Sequence, residues 1–177
     1  MHTANPYAPP RAAVADVGHD PGVTAPVKNW SAQGRIGRLR YLAHLTGAYV
    51  LLALVGFVAG FIAAMLKTQM AVPVAVGAAL IAYLWFTVLK TIQRSHDMDW
   101  SGWTSLLALI PLVGLVWVFK AGTAGGNRFG LPPPPNSLGV KILGLLFPIV
   151  AGIGIVAAIA LPAYQDYTTR ARAAQQR

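Results

Sequence analysis

The stretch Tyr41–Leu66, YLAHLTGAYVLLALVGFVAGFIAAML, runs 26 residues without an Asp, Glu, Lys or Arg. A helix needs about 20 apolar residues to cross about 30 Å of hydrocarbon, so this stretch reads as a transmembrane helix. Ala71–Leu89 (19 residues), Gly102–Phe119 (18 residues) and Ile142–Ala163 (22 residues) share the property, in a chain of 177 residues with 14 Lys or Arg and 5 acidic groups. The expected fold is all-α, a polytopic bundle of four transmembrane helices over about 41–66, 71–89, 102–119 and 142–163. The third run is the shortest and carries Pro111 in its middle, which removes a backbone donor. Its length as straight helix, about 27 Å, favours a full crossing, with a re-entrant hairpin as the alternative.

Residues 1–29 are rich in Pro and Ala and lack a signal-peptide-like apolar run. They are expected to form a disordered tail, because they offer little apolar area to offset the entropy of ordering. Residues 30–134 then form a membrane domain with three spans. Residues 135–177 supply a linker, a fourth helix and a basic tail. Trp30–Leu42 reads as an interfacial lead-in helix, with Ile36, Leu39 and Leu42 at three-residue spacing.

Net charge is +9, with the basic residues at the ends of the apolar runs, where anionic headgroups attract them. The bilayer and its anionic headgroups are therefore the expected partners, and nucleic acid is not needed to explain the charge. With four crossings, Lys and Arg near the span ends favour both termini on the cytoplasmic side. Cysteine is absent, which removes disulfides, thiolate metal sites and cysteine nucleophiles. There is no Glu and no Ser-His-Asp pattern, so no catalytic residue, metal or cofactor is expected.

The strongest polar constellation is Arg94, His96, Asp97 and Asp99 with Trp103, where the second run ends and the third begins. A His beside two carboxylates can hold a headgroup or an ion, yet a helix cap from Asp99 or Ser101 and an Arg94–Asp97 pair explain the same residues. A second candidate is the loop Gly122, Thr123, Gly125, Gly126, Asn127 and Arg128, whose uncovered amides suit an anion or headgroup. It lacks the Lys-Ser/Thr of a P-loop. With a full third crossing the two candidates lie on opposite sides. Gly56 and Gly60, and Gly154 and Ala158, form small-xxx-small faces for helix packing, within the bundle or against another helix.

The segments GRIGRLRY (Gly34–Tyr41), RSHDMDWSGW (Arg94–Trp103), IPLVG (Ile110–Gly114) and GTAGGNRFG (Gly122–Gly130) together resemble the bacterial inner-membrane family known as domain of unknown function 805, over about residues 30–134. The resemblance implies a small helical membrane domain with no accepted reaction, cofactor or catalytic residue. A second stretch, AAIALPAYQDYTTRAR (Ala157–Arg172), resembles the N-terminal helix of type IV pilins where it leaves the membrane. The leader-peptidase site and the acidic residue of pilins are missing, since the matching positions are Val140, Lys141 and Leu145. Taken together, the expectation is a multi-pass inner-membrane structural, scaffold or interaction component. The alternatives are a headgroup- or ion-handling protein using the Arg94/His96/Asp97/Asp99 cluster, and a pilus-associated accessory protein. Other membrane helices, pilins or a second copy included, are the candidate protein partners.

Overall fold

A computed structural model describes residues 23–68 and 70–175; most of the expected tail, 1–22, lies outside the described residues. The fold is all-helical among the described residues. Four α-helices, α1 (Arg38–Leu66), α2 (Ala71–Asp97), α3 (Pro111–Phe119) and α4 (Leu138–Gln175), are joined by a 3-10 helix, Gly102–Leu109, between α2 and α3. Three of these helices, but not α3, are long and apolar enough to cross a membrane.

α1 ends where Lys67 takes a left-handed conformation and its N–H returns to the carbonyl of Ala63. α2 follows after a short turn and packs antiparallel to α1, with Gly56 facing Val76 and Tyr41 meeting Thr91. α4 starts beside the first turn of α1 and stays packed along it, so the two run in the same direction. The closest approach is at Gly144, where a Cβ would meet the carbonyl oxygen and side chain of Leu39. Only a glycine permits that contact.

Along the spans, large apolar side chains such as Leu51, Phe57, Phe61, Ile81, Ile155 and Ile159 are exposed. In a helix that is apolar all round, such faces meet lipid. The buried core lies at one end of the bundle, around Ile36, Tyr41, Met98 and Trp117. Arg35, Lys90, Gln93, Arg94 and Asp97 are buried beside it.

The run 102–119 does not form a crossing, which corrects the four-helix expectation. Ile110 is extended (φ −81°, ψ 117°), the conformation a following proline favours, and Pro111 becomes the first residue of α3 instead of a mid-helix break. The two short helices, about 16 Å and 14 Å long by their rise per residue, fold back on each other and cannot span about 30 Å. Both ends of the hairpin return to one place: the Thr123 N–H donates to the carbonyl of Asp97 at 2.8 Å. The polar segment after α3 therefore shares a side with the end of α2, where four crossings had separated them. Residues 23–37 and the end of α4 lie at opposite ends of the bundle.

The expected lead-in helix is also absent. Residues 31–37 form a non-helical strap, and α1 begins only at Arg38. Its carbonyls are drawn to a side chain of α2 instead of to one another.

Candidate functional site

On the last two turns of α2, Lys90, Gln93, Arg94 and Asp97 follow the i, i+3, i+4, i+7 spacing of one helix face. That face is turned into the protein, and the rest of the polar end is built on it.

Asp97 is the hub. Its Oδ2 accepts from Nη1 of Arg94 at 2.6 Å, one turn away on the same helix. Its Oδ1 accepts from Nη2 and Nε of Arg35 at 3.1 and 3.2 Å. All three side chains are at least 95% buried. Arg94 also donates to the carbonyl of Trp117 at 2.9 Å and to that of Lys120, which fastens the end of α3. Nη2 of Arg35 also donates to the carbonyl of Thr123 (2.8 Å), and its Nη1 to those of Gly125 (2.7 Å) and Gly130 (3.2 Å). A buried charge persists only when paired and fully hydrogen-bonded, and this network meets both conditions.

The glycine-containing loop thus presents its carbonyls to a cation. Its amides at Thr123, Asn127, Phe129 and Gly130 donate within the protein, to Asp97, Gly130, the Asn127 side chain and Asn127. Gly122 packs directly on Asp97, and a Cβ there would overlap the carboxylate. Asn127 reaches the carbonyl of His96 at 2.8 Å, and the His96 ring stacks on Phe129 at 3.9 Å. His96 Nδ1–H donates to the carbonyl of Gly34 at 3.3 Å.

The sequence-picked residues divide clearly. Arg94, His96 and Asp97 come together with Thr123, Gly125 and Asn127 in one assembly. Asp99 and Arg128 pair at its surface, with Arg128 Nη2 donating to the Asp99 carbonyl at 2.7 Å and Nε 3.3 Å from Oδ1. Trp103 is 82% exposed and takes no part. The residue before the 3-10 helix, Ser101, makes no side-chain cap. On the helix faces, Gly56 packs on α2, whereas Gly60 and Gly154 have nothing within 4 Å of a built Cβ and Ala158 is exposed. Among the described residues no three His, Cys, Asp or Glu side chains converge on a metal-sized site.

Three partners escaped the sequence reading. Arg35 is 62 residues from Asp97. Gln93 holds the strap, its Nε2 donating to the carbonyls of Lys28, Ser31 and Gln33 at 2.7–2.9 Å. Trp117, fully buried, donates its indole N–H to Ser95 Oγ at 2.9 Å. The polar stripe on α2 was the available signal for Gln93; nothing local pointed to Arg35.

The fold defines a helical multi-pass membrane protein whose polar groups are gathered at one end. The chain belongs to the family described as "Protein of unknown function (DUF805)", whose model matches residues 29–131. It is similar to the "Inner membrane protein YhaH" of Escherichia coli strain K12 and of E. coli O157:H7, each 43% identical over 58 residues. That match covers 30% of this chain and 46% of each relative, about half the relatives' length. No solved structure matches the chain. Fold and family together make it a multi-pass inner-membrane protein.

Proposed function

We propose that this chain is a structural or interaction component of the inner membrane, without catalytic chemistry, whose polar end is a clamp that fixes the re-entrant hairpin. The observation that carries this reading is the enclosure of Asp97: both its oxygens accept from Arg35 and Arg94, whose remaining nitrogens are taken by backbone carbonyls. Three of the roughly four acceptor positions of the carboxylate are filled by arginine N–H groups and Oδ2 is covered by Gly122, so the group is closed to a substrate. It also argues against a headgroup or ion held by Arg94, His96, Asp97 and Asp99 together.

The clamp end faces the cytoplasm. Lys28, Arg35, Arg38, Arg40, Lys90, Arg94, Lys120, Arg128 and Lys141 lie at that end, against Lys67, Arg170 and Arg172 at the other. The positive-inside rule then places the end of α4 outside. The absence of native cysteine gives a direct test. In intact spheroplasts a membrane-impermeant maleimide should label Gln175→Cys and spare Gly126→Cys until the membrane is opened. Equal labelling of both positions would refute the three-crossing arrangement.

A second reading rests on the direction of α4, which leaves the cytoplasmic end beside α1 and runs outward, as a pilin helix does. The face bearing Gly154 and Ala158 is free to receive another helix. In this reading the chain is a pilus-associated accessory protein. A photocrosslinker at Ala158 should capture a pilin subunit; capture of lipid alone, or of α1 of the same chain, would dismiss it.

A further inference from the structure

Between α1 and α2, next to the clamp but separate from it, lies an apolar cavity of about 440 Å³, within the range of small-molecule sites. Small residues form it: Gly47 and Ala48 on α1 and Ala82 on α2 leave room that larger side chains would fill. It extends from His44 to Val55 along α1. That distance is about 16 Å by helical rise, close to half of the roughly 30 Å hydrocarbon core. The cavity therefore has the length of one leaflet.

Its mouth is aromatic and positively charged. The Phe86 ring stands there with Trp30 at 5.3 Å and His44 at 5.9 Å. Lys90 Nζ lies over the same ring, 5.1 Å from its centre. Arg40 is one helical turn from His44, whose Nδ1–H donates to the Arg40 carbonyl at 2.7 Å.

Lys90 is 0% exposed and Arg40 6%. Among the described residues neither has a counter-ion. Lys90 donates to the carbonyl of Lys28 and to Gln93 Oε1, and Arg40 to the carbonyls of Pro134 and Pro135. Among the described residues, Asp97 and Asp99 are paired with Arg35, Arg94 and Arg128, and Asp166 is at the far end of α4. Two buried cations without an anion are costly in a low-dielectric setting. Each lies one residue behind the wall of the slot, Lys90 over the lining Phe86 ring and Arg40 bonded through its carbonyl to the lining His44, and the Trp30 indole N–H and the second imidazole nitrogen of His44 are without protein partners among the described residues.

We infer that this groove binds one acyl chain of an anionic phospholipid from the leaflet on the clamp side, with the phosphate at the mouth beside Trp30 and His44 in the field of Lys90 and Arg40. The lipid supplies the missing negative charge, and its chain fills the slot. The aromatic rings occupy the headgroup level, where their mixed polarity suits them. The slot shares no lining residue with the Asp97 network, and Lys90 is the one group that serves both it and the strap.

The test uses the full chain, reconstituted with equal amounts of dioleoyl phosphatidylglycerol and dioleoyl phosphatidylcholine, then re-extracted in mild detergent and analysed by native mass spectrometry. One phosphatidylglycerol per chain should be retained, preferred about tenfold or more over phosphatidylcholine, the scale expected of two nearby cations. Ala82→Phe fills the slot from the lipid-exposed side of α2 and should abolish retention while the chain remains folded. Lys90→Met should bring the preference down toward parity; because Lys90 also holds the strap, its reading counts only where the thermal transition is kept, and Ala82→Phe decides the matter otherwise. Equal retention of the two lipids by the wild type, retention unchanged in Ala82→Phe, or a second copy of the chain crosslinked from position 82 would each overturn the inference.

Discussion

Replacing Asp97 by alanine should cost about 3–5 kcal/mol of stability, the scale seen when one partner is removed from a buried ion pair. Two guanidiniums, not one, would lose their only anion, and their side chains are 0% and 1% exposed. Water cannot replace the carboxylate without opening the clamp. Opening it frees the Thr123 N–H, the end of α3 and the strap at once, because all three are tied to residues 93–97 of α2. Asp97→Asn should fall between the two, since it keeps an acceptor for one arginine and loses the charge. The measurement is thermal unfolding in mild detergent together with abundance in isolated membranes. An Asp97→Ala protein with the wild-type transition would show that the cluster serves a ligand and not the fold.

The membrane class was legible because hydrocarbon imposes a length and an absence of charge, and both can be read directly from residues 41–66, 71–89 and 142–163. The third run meets the same criterion without crossing, because the criterion weighs only the sum of apolar residues. What decides its shape is local and chemical: Pro111 forces Ile110 out of the helical region, and the ends of the run are recaptured by Arg94 and Asp97. A hydropathy sum contains neither effect. The consequences reach further along the chain, since a fourth crossing would separate the glycine loop from His96 and set α4 antiparallel to α1, whereas the hairpin brings the loop to His96 and leaves α4 parallel to α1.

The site was half legible for a related reason. Arg94 and Asp97 are three residues apart on a helix, so their pairing follows from helix geometry. Arg35 reaches the same carboxylate from outside any helix, and only tertiary structure brings it there. The glycine loop illustrates a subtler gap. Glycines uncover the amide N–H and the carbonyl alike, so composition marks a loop that can cradle an ion without fixing the sign of its charge. In this fold the carbonyls of Thr123, Gly125 and Gly130 converge on a guanidinium. The cradle holds a cation, and that cation belongs to the protein.

Gly122→Ala gives the second large effect, and its pattern is more diagnostic than its size. A methyl group at this position would occupy the space of the Asp97 carboxylate, and the carboxylate cannot yield because arginines hold it from two directions. The loop must move instead, withdrawing its carbonyls from Arg35, so the cost should reach about 3 kcal/mol, the upper part of the usual range for overpacking. The three atoms nearest to that methyl group all belong to the Asp97 carboxylate, so the overlap is removed once Asp97 is alanine. The double variant should therefore be no less stable than Asp97→Ala alone, with a coupling energy of about 2–3 kcal/mol in a double-mutant cycle. Additive losses would mean that the loop and Asp97 contribute independently and that the clamp is not one unit. Near-complete coupling is expected, because in this fold the strap, the hairpin and the glycine loop meet at a single carboxylate.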